Sequence, residues 1–173
     1  MIKEYNKNIM TSIKTKSSKE DLIKKRDQFQ KEMNNLASMF NAISEGIGKR
    51  LVAEFPANRD LVIYNQIVTG IIKKKPFEPI SIFMVHIYGN DQYREAILNA
   101  DEKFFRSSRH ENLTSSDEDR IKAMFQFQSC WDKMSDELKK IVKTSMKRLV
   151  EISGDYILVK GDHSDTTDLL KKM

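Results

Sequence analysis

The stretch SKEDLIKKRDQFQKEMNNLASMFNAISEGIG, residues 18–48, decides the fold. Leu22, Phe29, Met33, Leu36, Phe40, Ile43 and Ile47 follow one another by seven, four, three, four, three and four residues. Only Arg26 interrupts the register. Lys24, Gln28, Gln30, Lys31, Glu32, Asn34 and Asn35 take the outward positions. An apolar stripe at this spacing is one face of an α-helix of about 25 residues. Ser18 fits its N-cap, and Glu20 and Asp21 fall in the first turn, where the helix dipole favours anions. Gly46 and Gly48 are expected to end or loosen it. Such a seam closes either a coiled-coil oligomer or the core of a single-domain bundle. Phe29, Met33, Leu36 and Phe40 are therefore the candidate interface residues.

Outward from this helix, the pattern stays helical. Phe55-Pro56 marks a break, because the residue before proline is pushed out of the helical region. Asn58 or Asp60 can start the next helix, whose stripe is Leu61, Tyr64, Ile67, Val68, Ile71 and Ile72. Pro76 and Pro79 force an extended connection. Pro79 and Gly89 then bracket an apolar run as a buried helix rather than a buried strand. Asn90 or Asp91 caps a further piece with Tyr93, Ile97 and Leu98 on its buried side. Asn99 or Asp101 leads to Phe104 and Phe105. Residues 107–116 are polar and fit a loop. Ser116 and Asp119 resemble a capping box, followed by a helical face of Ile121, Met124, Phe125, Phe127 (or Gln128) and Trp131. Ser135 caps a last helix with Leu138, Ile141, Val142, Ser145, Leu149 and Ile152 inward, ended by Gly154. Residues 156–160 are β-prone and residues 161–173 form a polar tail. The expectation is an all-α multi-helix bundle with one long N-terminal amphipathic helix. A basic arm (1–17) precedes the helical domain (18–155), and a short C-terminal appendage (156–173) follows it.

Composition agrees. The chain has 173 residues, of which 39% are hydrophobic and 32% charged. A chain of this mass can bury roughly 70% of its extended surface and needs no staple. Gly and Pro together number only nine, too few for a turn-rich β-sandwich. No run of 18 apolar residues exists, so no membrane span is expected. The first thirty residues lack the apolar region of a secretory signal. Cys130 is the single cysteine, so no intrachain disulfide forms, which fits a reducing, cytoplasmic setting.

The net charge of +5 is concentrated. Residues 1–26 hold eight basic and three acidic side chains, and the other 147 residues hold 22 of each. The candidate phosphate-binding residues are Lys3, Lys7, Lys14, Lys16, Lys24, Lys25, Arg26, Lys73, Lys74 and Lys75. Lys139, Lys140, Lys143, Lys147 and Arg148 line the outer side of the last helix. No zinc-finger, RRM or helix-turn-helix signature accompanies them.

Motifs for catalysis are absent. Neither GxGxxG nor GxxxxGK[ST] occurs, and Gly46-Ile47-Gly48-Lys49-Arg50 follows a helix instead of opening one. There is no GxSxG. Cys130 beside Trp131 fits a buried structural thiol, and His86 fits a core or boundary position. Asp162-His163-Ser164-Asp165 with Asp168 superficially resembles a metal site but lacks the Gly-and-Glu frame of a calcium loop. The expectation is a protein that is not an enzyme and takes no metal or cofactor. Its partners are another protein or a second copy of itself, with nucleic acid the alternative.

From residue 77 to residue 152 the chain resembles uncharacterised helical proteins of large nucleocytoplasmic DNA viruses. The resemblance rests on Phe77-Glu78-Pro79-Ile80 through Phe83, on Asn90-Asp91-Gln92-Tyr93-Arg94 with Ile97, and on Asp101-Glu102 with Phe104-Phe105. Phe125-Gln126-Phe127 with Trp131 and the final helix from Asp136 to Ile152 complete it. It implies a virion or assembly component, located in the host cytoplasm or the virion, and brings no catalytic residues.

Overall fold

A computed structural model describes residues 18–106 and 126–173. The arm with Lys3, Lys7, Lys14 and Lys16, the polar stretch through Ser116, and Ile121, Met124 and Phe125 lie outside them. Helix α1, Lys19–Glu54, is 36 residues long. Ser18 forms a capping box with Asp21: the Ser18 hydroxyl accepts from the Asp21 amide at 3.2 Å, and the Asp21 carboxylate accepts from the Ser18 amide at 3.3 Å. The helix runs straight through Gly46 and Gly48, contrary to the expected end. Packing explains this. A Cβ on Gly48 would collide with the Asn65 side chain of α2, Arg59–Lys74, so glycine serves close helix approach at this point. The helix stops at Phe55-Pro56, as the proline requires.

Asn58 caps α2 by accepting the Leu61 amide. Of the expected α2 stripe, Leu61 is buried, whereas Ile67 is exposed together with Ile63. Helix α3, Glu78–Phe83, has Pro79 in its first turn and passes into a π-helical turn, Met84–Tyr88. Gly89 closes that turn with its amide on the Met84 carbonyl at 2.9 Å. Ile80, Phe83 and Ile87 face the core. Asn90 caps α4, Asp91–Leu98. Its Leu98 is 38% exposed, unlike the buried Ile97. Ala100 ends α4 in the left-handed region with φ 52°. The amides of Ala100 and Asp101 bond back to Ile97 and Ala96, the Schellman pattern that usually takes glycine. Helix α5, Glu102–Arg106, follows.

A 3-10 helix, Gln126–Lys133, leads into α6, Asp136–Lys171, another 36-residue helix. Ser135 caps it. The expected stop at Gly154, the β-prone run at 156–160 and the tail beyond are all helix. Tertiary packing outweighs local preference here. Tyr156 and Val159 join the core and Thr166 is buried. The hydroxyls of Ser153 and Thr166 bond the carbonyls four residues back, each at 2.8 Å, so both are buried while satisfied. No strand occurs among the described residues.

The architecture is an antiparallel pair of long helices with the shorter elements packed against it. Ser135, at the start of α6, donates its amide and hydroxyl to the Glu54 carboxylate at the end of α1, at 2.7 and 2.9 Å. From there the two helices run alongside each other toward Leu22 and Thr166. Two aromatic groups fill the core. Phe40 meets Phe83 edge to face with centroids 5.3 Å apart. Phe105 stacks on Trp131 at 5.1 Å, with Phe127 beside both.

Candidate functional site

Of the candidate interface residues, Met33 and Phe40 are core residues, not surface. Leu36 packs against that core and Phe29 is half-buried. Of the two readings open to this seam, coiled-coil oligomer or single-domain core, Met33 and Phe40 follow the second: they pack in one core with residues of α6 and of the short helices. The intramolecular reading of the heptad pattern therefore applies to these side chains. The exposed apolar side chains of the long pair lie elsewhere, at Ile23, Met39, Ile157, Leu158 and Leu169.

The described lysines among the phosphate candidates do not converge. Lys24 and Lys25 are exposed near the start of α1. Lys73, Lys74 and Lys75 sit at the end of α2. The carbonyl of neighbouring Pro76 accepts from Asn41 Nδ2 at 2.8 Å. Asn41 is 16 residues beyond Lys25, about 24 Å along the helix. Two of the cations are also paired: Arg26 holds Asp27 at 2.7 Å, and Lys75 holds Glu78 at 3.1 Å. These positions make two separate basic points rather than one track for a phosphate backbone.

The densest polar constellation joins α5, the 3-10 helix and α6. The Glu102 carboxylate accepts the Trp131 indole N–H at 2.8 Å and pairs with the Lys143 ammonium. That ammonium also lies over the Trp131 ring, 5.6 Å from its centroid. The hydrogen bond from Lys143, then that from Trp131, holds the Glu102 carboxyl below its usual range. Nearby, Arg106 pairs with Asp132 at 2.9 Å. An open depression of about 470 Å³ beside this node is lined by Glu102, Asp136, Lys139, Lys140, Lys143 and Thr144. Its charges are mixed and its one tightly held carboxylate is already bonded twice. The arrangement ties the short helices to α6; it has no nucleophile beside a base. The role of Glu102 escaped the sequence reading, because a helix-opening acid looks sufficiently explained by the dipole.

A second groove, about 570 Å³, runs beside α1 near the end of α2, along Asn34, Ser38, Asn41, Ala42 and Glu45. Asn41 is only 7% exposed, and its Oδ1 has no hydrogen-bond donor among the described residues. Cys130 is buried, donates to the Phe127 carbonyl at 3.2 Å, and burial pushes its thiol up to about 11. That is the signature of a packed thiol rather than a reactive one. Asp162, His163, Asp165 and Asp168 lie along the last turns of α6. No group of three metal-ligating side chains occurs among the described residues. Nor is any described helix long and apolar enough to cross a membrane.

No family model, curated protein or solved structure matches the chain.

Proposed function

We propose that this is a non-catalytic interaction protein that self-associates through the outer surface of its α1–α6 pair. The observation that carries the reading is the placement of apolar side chains on the solvent side of that pair. Leu158 is 69% exposed, Leu169 51% and Met39 44%. Their own helices gain nothing from leucine or methionine at these sites beyond ordinary helix propensity. A second protein surface would remove them from water, at about 25 cal/mol per Å² of apolar area. The expected virion or assembly role, in the host cytoplasm or the particle, is the setting in which such self-association would serve. The separation of Lys24, Lys25 and Arg26 from Lys73, Lys74 and Lys75, and the pairing of Arg26 and Lys75, weigh against nucleic acid as the main partner of these residues.

Size-exclusion chromatography with light scattering tests the reading. The wild-type chain should exceed its 20.2 kDa monomer mass as concentration rises. Leu158→Asp combined with Leu169→Asp should return it to monomer with unchanged helical circular dichroism. A chain that stays monomeric at all concentrations would remove the reading. A steeply salt-dependent complex with duplex DNA, formed by a monomeric chain, would put the nucleic-acid alternative in its place.

A further inference from the structure

The outer face of α6 is divided by charge. Lys139, Lys140, Lys147 and Arg148 occur in its first half, with no acid between residues 139 and 150, while Lys143 of the same stretch turns to Glu102 and Trp131. Glu151, Asp155, Asp162, Asp165 and Asp168 dominate the second half, where Lys160 is the one lysine or arginine up to residue 168. Lys140, Lys147, Asp155, Leu158 and Asp162 share the outward stripe at helical spacing and are all exposed.

We infer that α6 docks antiparallel on α6 of a second copy, about a two-fold axis near Glu151; this rests on the interaction reading above and names its geometry. An antiparallel pair centred there sets Lys140 opposite Asp162 and Lys147 opposite Asp155. Leu158 then falls opposite Thr144, its apolar surface covered by a side chain with a methyl group. Glu151 meets its counterpart at the axis, where each carboxylate already holds Arg148 of its own helix at 2.9 Å. A parallel, in-register pair would oppose lysines to lysines and carboxylates to carboxylates, so the charge pattern itself selects the antiparallel one.

A two-fold contact of this kind is isologous and closes at two copies.

Charge exchange tests it in sedimentation velocity at low salt. One variant carries Lys140→Glu and Lys147→Glu; the other carries Asp155→Lys and Asp162→Lys. Each alone should weaken dimerisation by at least about 30-fold, the expected sum for four exposed ion pairs reversed across the two-fold axis. Mixing the two variants should restore the dimer, as should one chain carrying all four changes. The positions are exposed, so helical circular dichroism should stay at the wild-type level in every variant. A wild-type dimer that neither exchange weakens would overturn the α6 geometry and leave the interaction reading standing. Polymers that keep growing with concentration would also overturn it, because they require a head-to-tail contact. A wild-type chain that never associates would remove both.

Discussion

Glu102 shows how one side chain joins three elements. It opens α5, takes the indole hydrogen of Trp131 in the 3-10 helix and pairs with Lys143 of α6. Because its folded pKa is depressed, the native state favours the carboxylate more than the unfolded chain does. Its contribution is present at neutral pH and is lost as pH falls through the folded value. Glu102→Gln should therefore lower stability at pH 7 in urea unfolding and narrow the gap to wild type near pH 3. An equal loss at both pH values would mean that the carboxylate's charge plays no part. The residue scale is also where sequence reading is strongest for caps. Ser18 and Ser135 cap the helices assigned to them, and of the alternatives offered Asn58 and Asn90 are the caps rather than Asp60 and Asp91, because a cap is set by a side chain and an amide a few residues apart. Glu102 was not legible in the same way. Its partners are 29 and 41 residues distant, and only packing brings them together.

At the scale of elements, the glycines of α6 separate local preference from packing. Sequence suggested a stop at Gly154, yet α6 continues to Lys171 because its far half lies against α1. Gly161 has open space where a Cβ would stand, whereas at Gly154 a Cβ would lie 3.1 Å from the Tyr88 hydroxyl. Gly161→Ala should thus stabilise the fold by up to about 1 kcal/mol, through reduced backbone freedom in the unfolded chain. Gly154→Ala should gain less or lose stability, since Tyr88 must give way. Thermal unfolding of both variants measures the contrast; equal gains would mean that Tyr88 yields freely. The seam of α1 was legible because a seven-residue apolar rhythm has one physical meaning, a buried helical face. Which surface buries it was not, because intramolecular and intermolecular partners satisfy the same rhythm. Met33 and Phe40 proved to be core for that reason. The β-prone run at 156–160 misled in the opposite sense: Tyr156 and Val159 are equally serviceable on a buried helix face once a neighbouring helix is present.

For the whole molecule, two 36-residue helices, each about 54 Å long, set the dimensions. The short helices complete the core around Trp131, Phe105 and Phe40 and leave the outer side of α6 to solvent. That side carries two exposed leucines, and on it Lys140 and Lys147 match Asp162 and Asp155 when the helix is reversed about Glu151. Composition and helical rhythm were enough to identify an all-α bundle. The proposed docking face required knowing that α6 is a single helix, since residues 156–173 taken as a tail break the stripe in half. The most direct measurement is sedimentation velocity of the wild-type chain over a concentration series, at about 20 mM and about 500 mM salt. Screening shortens the reach of exposed charges as salt rises. The account predicts a monomer–dimer equilibrium that shifts toward monomer at high salt. A sedimentation coefficient that stays at the monomer value across both series would contradict it.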